Sequence, residues 1–222
     1  MQTLNTTKLF YNKYFYKLEV INHLGVIFRE KNLSFARQVL DKLQHQYEHN
    51  ESLTFNMGLR DRVIKEDTFL QAKNLYKLLS KGDDYMLRVE GPSVCIYTND
   101  KIWSKSLLQS INLESIKSFY EPNINDIDIL DKNTIIVDKS NGYEFKVTLG
   151  NKKGSPDFAN WARTNTKLVK VGPTLLEELD NAGYVHNLYF YARDERVLQL
   201  CQLMLSNIRR IDKLVVKSDL DK

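Results

Sequence analysis

Only two cysteines occur in the 222 residues, Cys95 and Cys201, and no Cys-x-x-Cys pair exists. With four scattered histidines this excludes the usual zinc patterns, and a small disulfide framework is excluded with them. Each thiol sits in an apolar run, Val94-Cys95-Ile96 and Leu200-Cys201-Gln202-Leu203, so both read as core residues in a reducing compartment, with a bridge between them open in principle. No apolar run approaches the roughly 18 residues of a spanning helix, so no membrane partner is expected. Met1-Gln2-Thr3-Leu4-Asn5 lacks a basic then apolar leader, so a soluble, cytoplasmic chain is expected, or a nuclear one in a eukaryote. Asn151-Lys152-Lys153-Gly154-Ser155 lacks the P-loop pattern and reads as a flexible basic loop before a helix. No cofactor motif is present. Proline and alanine are scarce while Lys, Asn, Tyr and Ile are abundant, as AT-rich genomes, many bacteriophages among them, produce.

What is present is an ordinary globular composition, 42% apolar, with a net charge of only +4 spread along the chain. That charge permits a nucleic-acid partner without demanding one. Alternation predicts strands at residues 14–20, 53–57, 85–89, 94–98 and 116–120. Helical stripes run from Leu33 to Tyr47, with Asn32 or Ser34 as cap, and from a cap at Asp67 to Leu79, with Gly82 as its stop. Asp100 caps a third helix. Glu121 to Asp126 is turn-rich and divides an N-terminal half, 1–122, from a C-terminal half, 123–222. The second half predicts a hairpin of 134–137 with 143–149, then helices from Asp157, Pro173 and Asp194, with strands at 168–171, 188–191 and 211–216.

The halves share short patterns. Ile96-Tyr97-Thr98-Asn99-Asp100 matches Phe190-Tyr191-Ala192-Arg193-Asp194, a strand ending in Tyr followed by a capping Asp. Tyr16-Lys17-Leu18 matches Phe145-Lys146-Val147, Phe35-Ala36 matches Phe158-Ala159, and Gly82 and Gly183 each close a middle helix. These suggest an internal duplication. Residues 53–120 read β-α-β-β-α-β, so each half is expected to be a ferredoxin-like α/β unit, a split βαβ antiparallel sheet with helices on one face.

On such a fold, RNA-recognition domains stack bases on aromatic side chains of the free sheet face. Tyr14, Tyr16, Tyr97, Phe119, Tyr120, Tyr189 and Tyr191 fall on expected strands, with Lys13, Lys17, Arg88, Lys101, Lys117, Arg193, Arg209, Arg210 and Lys213 nearby. Tyr97 and Tyr191, with Arg193, Arg209 and Arg210, are the candidate nucleic-acid-binding residues. Core packing is the competing reading of each ring, and the glycine-rich RNA-recognition signature is absent. The expectation is a non-enzymatic protein binding RNA or single-stranded DNA. The alternatives are an assembly component meeting a protein partner or a second copy, and a metal-dependent nucleic-acid enzyme. The last would use Glu144 and Lys146 with Asp126, Asp128, Asp131 and Asp138. Gly82-Asp83-Asp84 reads better as a helix stop than as a polymerase-type acidic turn, and His45 with His49 as a solvated helix end.

Overall fold

Residues 2–56 and 61–217 are described by a computed structural model. They form a mixed α/β structure in two units. One comprises Met1–Thr6 with Lys13–Ile124, the other Thr7–Asn12 with Asn125–Lys222. The expected frayed tail at 218–222 lies outside the described residues. No helix among the described residues is long and apolar enough to cross a membrane.

The N-terminal unit runs β1 (Gln2–Asn5), β2 (Tyr16–Ile21), α1 (Leu33–Glu48), β3 (Thr54–Asn56), β4 (Asp61–Val63), α2 (Glu66–Leu79), β5 (Tyr85–Glu90), β6 (Ser93–Thr98), α3 (Lys101–Ser110) and β7 (Ile116–Glu121). A 3-10 segment at Gly25–Lys31 precedes α1. Asn32 begins α1, its side chain accepting from the Phe35 N–H at 2.9 Å. Ala36, Val39, Leu40 and Leu43 then bury at helical spacing. Asp67 is not a cap. It lies in the first turn of α2, where its charge still suits the helix dipole, and Lys65 takes the cap position without a side-chain bond. Gly82 follows α2 against the Trp103 ring, which a Cβ there would meet at 2.3 Å.

The main sheet has the order β1-β7-β2-β6-β5, antiparallel except for β1, which lies parallel to β7. Tyr16, Leu18 and Val20 of β2 and Val94 and Ile96 of β6 share one core with the buried sides of α1, α2 and α3. The expected strand at 53–57 does not belong to this sheet. Thr54–Asn56 pairs with Asp61–Val63 in a separate ribbon, and Met57 lies outside the described residues. The strand leading into α1 and α2 is β2.

The C-terminal unit runs β8 (Thr134–Val137), β9 (Phe145–Leu149), β10 (Lys152–Lys153), α4 (Pro156–Thr164), β11 (Val169–Val171), α5 (Pro173–Asp180), β12 (Tyr184–Val185), β13 (Tyr189–Ala192), α6 (Glu195–Met204) and β14 (Ile208–Val216). Its main sheet has the order β11-β13-β9-β14-β8, antiparallel except for β8, which lies parallel to β14. The expected hairpin of 134–137 with 143–149 therefore does not form, because β14 inserts between its arms. The last strand, expected at 211–216, begins earlier, at Ile208. The expected flexible loop holds β10, paired with β12.

The two sheets have the same order and strand directions. In each, the first strand is the parallel edge, the last is its neighbour, and the second lies at the centre. Tyr16-Lys17-Leu18 and Phe145-Lys146-Val147 occupy corresponding stretches of the central strands, and Lys17 faces Tyr97 as Lys146 faces Tyr191. Asp100 and Asp194 both cap the helix that follows, accepting from Trp103 N–H at 2.9 Å and Val197 N–H at 3.0 Å. Gly82 and Gly183 do not correspond. α2 precedes β5, whereas α5 follows β11, because the C-terminal unit inserts a helix where the other turns tightly at Gly91, φ +56°.

Candidate nucleic-acid interface

Alternation along β13 decides which side chains face which way. Phe190 and Ala192 enter the core with Val147 and Leu149 of β9 and the buried sides of α4, α5 and α6. Tyr189 and Tyr191 therefore project from the opposite face of the sheet. Cross-strand register places Lys170, Tyr191, Lys146 and Asp212 in one row, and Tyr189, Thr148 and Arg210 in the next.

Tyr189 is 44% exposed and Tyr191 half-buried. Their ring centroids lie 5.6 Å apart at 78°, edge against face. The Lys146 ammonium sits 3.8 Å from the Tyr189 centroid, a cation–π contact. Burial, and then the Tyr189 side chain, push the Tyr191 hydroxyl up, so it is uncharged at neutral pH. Tyr143 adds a third ring, its centroid 6.2 Å from that of Tyr191.

Asp212 is wholly buried on this face. It pairs with Lys8 from the Thr7–Asn12 segment and with the Arg210 Nε at 2.9 Å. Burial pulls the Lys8 ammonium below its ordinary value, against the Asp212 hydrogen bond and charge, which raise it. Lys8 and Arg210 thus share the Asp212 carboxylate, and Lys146 and Lys170 lie in the same cross-strand row. Beside them the buried Thr148 hydroxyl has no hydrogen-bond partner.

Of the residues expected from sequence, Tyr191 and Arg210 share this face. Arg209 lies where the β14 register shifts, and its guanidinium donates to Asn187 Oδ1 at 2.6 Å. Arg193 follows the end of β13 and is held by Asp194 at 2.9 Å. Tyr97 holds the place in the N-terminal sheet that Tyr191 holds here, yet it is only 5% exposed, with Tyr14 beside it at 6.4 Å. Its ring is not presented to a base, which corrects the pairing of Tyr97 with Tyr191 as surface stackers. Tyr14 is also buried, and Tyr16 and Phe119 belong to the core. Cys95, expected inside, is half-buried on the face of β6 opposite the core, whereas Cys201 is buried, its thiol pushed up to about 12 by burial; both are free.

On the corresponding face of the N-terminal sheet two lysines converge on one glutamate. Glu19 accepts from Lys17 at 3.1 Å, Lys117 at 2.8 Å and Ser93 at 2.8 Å. Burial opposes its ionisation, but the hydrogen bonds from Lys117, Ser93 and Lys17 prevail and hold the carboxyl at about 2.

The acids near Glu144 do not converge. Glu144 is exposed ahead of β9, Asp138 pairs with Lys217 at 3.0 Å, and Lys146 turns to Tyr189. Among the described residues no group of three or more His, Cys, Asp or Glu side chains could hold a metal ion. Asp84 pairs with Lys13 at 3.0 Å, and the rings of His45 and His49 stack at 4.1 Å on an exposed helix end.

Tyr189 and Lys146 were visible in the sequence but not joined to Tyr191, although the i, i+2 spacing of Tyr189 and Tyr191 already put them on one face. Lys170 and Lys8 carried no local signal, since strand pairing alone brings them there. Comparison of the chain with protein-family models, with curated proteins and with solved structures gave no match.

Proposed function

We propose that this chain is a non-enzymatic binding protein that engages RNA or single-stranded DNA through the open face of its C-terminal sheet. The observation that carries the reading is the adjacent pair Tyr189 and Tyr191 on the sheet face opposite the core, in register with Lys146, Lys170 and Arg210. Stacking on such rings contributes about 1–3 kcal/mol per base and tolerates any sequence, while the cations neutralise phosphates. We read both units as one ferredoxin-like plan, duplicated and extended by a parallel edge strand. Matching sheet orders and the paired Asp100 and Asp194 caps support this. We take the C-terminal copy as the binding one, because the other buries Tyr97. Two free thiols suit a reducing compartment such as the cytoplasm.

The test is anisotropy of a labelled single-stranded oligonucleotide at two salt concentrations. Tyr189→Ala should weaken binding by about 1–3 kcal/mol with the salt slope unchanged. Lys170→Gln should flatten the slope by about 0.7 if it meets one phosphate. Absence of salt-dependent binding at micromolar protein would overturn the proposal. The assembly reading would then lead, favoured by Leu200 and Leu203 on α6, the latter 85% exposed.

A further inference from the structure

We propose that Tyr143 supplies a third stacking platform, so that the C-terminal face takes a run of three unpaired nucleotides; this rests on the nucleic-acid reading above. Tyr143 follows Gly142, whose φ of +82° turns the chain back toward β13. Two bonds fix the turn there, the Glu144 N–H donating to the carbonyls of Ala192 at 3.2 Å and Arg193 at 3.1 Å. A third fixes the ring, its hydroxyl donating to the Thr166 carbonyl at 3.1 Å. Tyr143 therefore stands beside Tyr191 as a held ring, with its centroid 6.2 Å away, and Tyr191 stands 5.6 Å from Tyr189.

Tyr143 and Tyr189 each neighbour Tyr191. These centroid separations exceed the roughly 3.4 Å between stacked bases of one duplex strand. Bases seated on successive rings are thus drawn apart, which an unpaired strand permits and a duplex does not. Beyond Tyr143 lies an open groove of about 630 Å³ lined by Glu144, Arg193, Asp194 and Lys213, two acids against two cations, with Arg193 already held by Asp194. Such a lining offers a phosphate little attraction, so the bound strand is short.

The experiment titrates oligouridine and oligothymidine of two to six nucleotides at low salt against wild type, Tyr143→Phe, Tyr143→Leu and Tyr143→Ala, each checked for folding by circular dichroism. Wild-type affinity is expected to rise from two to three nucleotides and then level off. Tyr143→Phe keeps the π-face but loses the Thr166 bond that holds the ring, so it should lose less affinity than Tyr143→Leu. Tyr143→Leu and Tyr143→Ala should weaken the trinucleotide about 5- to 150-fold, leaving the dinucleotide and the salt slope unchanged. Tyr143→Leu keeps apolar bulk without a π-face, so its loss of affinity would not be a folding defect. If wild type binds but gains nothing from the third nucleotide, or if the leucine variant matches wild type, the three-ring site is overturned while the binding function stands. Binding of no length overturns both.

Discussion

Glu19 shows how much one residue's surroundings decide. A glutamate in mid-strand with lysines at hand reads from sequence as part of a solvated face. In the fold it sits on β2 between β6 and β7, where Ser93, Lys17 and Lys117 converge on one carboxylate. Its folded value of about 2 lies below the ordinary 4.5. A depressed carboxylate contributes stability that is present above the unfolded value and lost as pH falls through the folded one. Wild-type denaturation midpoints should therefore decline between about pH 4.5 and 2, and Glu19→Gln should lose that part of the decline while being less stable at pH 7. Parallel acid profiles for the two proteins would refute it. Tyr97 and Tyr191 teach the same lesson. They hold equivalent places opposite a lysine, yet one ring is buried and the other half-exposed, and no local pattern separates them.

At the scale of elements the chain is largely legible, because caps and periodicity are local physics. Asn32, Asp100 and Asp194 each stand before an apolar stripe, and each side chain accepts the N–H three residues on; Ser155, which reads from sequence as loop, caps α4 in the same way. Replacing Asp100 or Asp194 by Ala should cost about 0.5–2 kcal/mol, whereas Asn should retain most of the stability because it caps as well. Urea midpoints of the four variants decide this, and Asn variants as damaged as the Ala ones would show that capping is not the cause. Errors arose where a strand's partner had to be named. β8 and β9 are close in sequence and joined by a turn containing Gly142, which favours a hairpin locally. The antiparallel place beside β9 went instead to β14, some 60 residues on, leaving β8 to pair parallel at the edge. The short edge strand β1 escaped notice because four residues, mostly exposed, carry no hydrophobic alternation.

Over the whole molecule the chain path creates contacts that nothing near them in sequence announces. Thr7–Asn12 lies early in the chain yet belongs to the C-terminal unit. There the Thr7 carbonyl accepts from the Ile136 N–H at 2.8 Å, and Lys8 meets the buried Asp212. Breaking a buried ion pair costs about 3–5 kcal/mol when a charge is left alone. Arg210 stays with Asp212, so Lys8→Met should cost less, about 1–3 kcal/mol, as the loss of one charged hydrogen bond does. Hydrogen exchange should localise the loss to β8, β9 and β14 and spare β2 and β6. Unchanged protection in β14 would show that the pair contributes nothing.

The sequence by itself determined the helices and the caps Asn32, Asp100 and Asp194, most strands of the two main sheets, the matched Tyr-x-x-Asp strand ends and the absence of any zinc or P-loop pattern. These depend on residues a few positions apart, where steric preference, capping bonds and burial periodicity act directly. Only the tertiary structure decided sheet order, the burial of Tyr97 against the exposure of Tyr189, and the gathering of Lys8, Lys146, Lys170 and Arg210 on one face. Those outcomes turn on which distant strands pair. A one-residue change of register would send every one of those strand side chains to the other face, so the tyrosine row and its cations exist only in the folded chain.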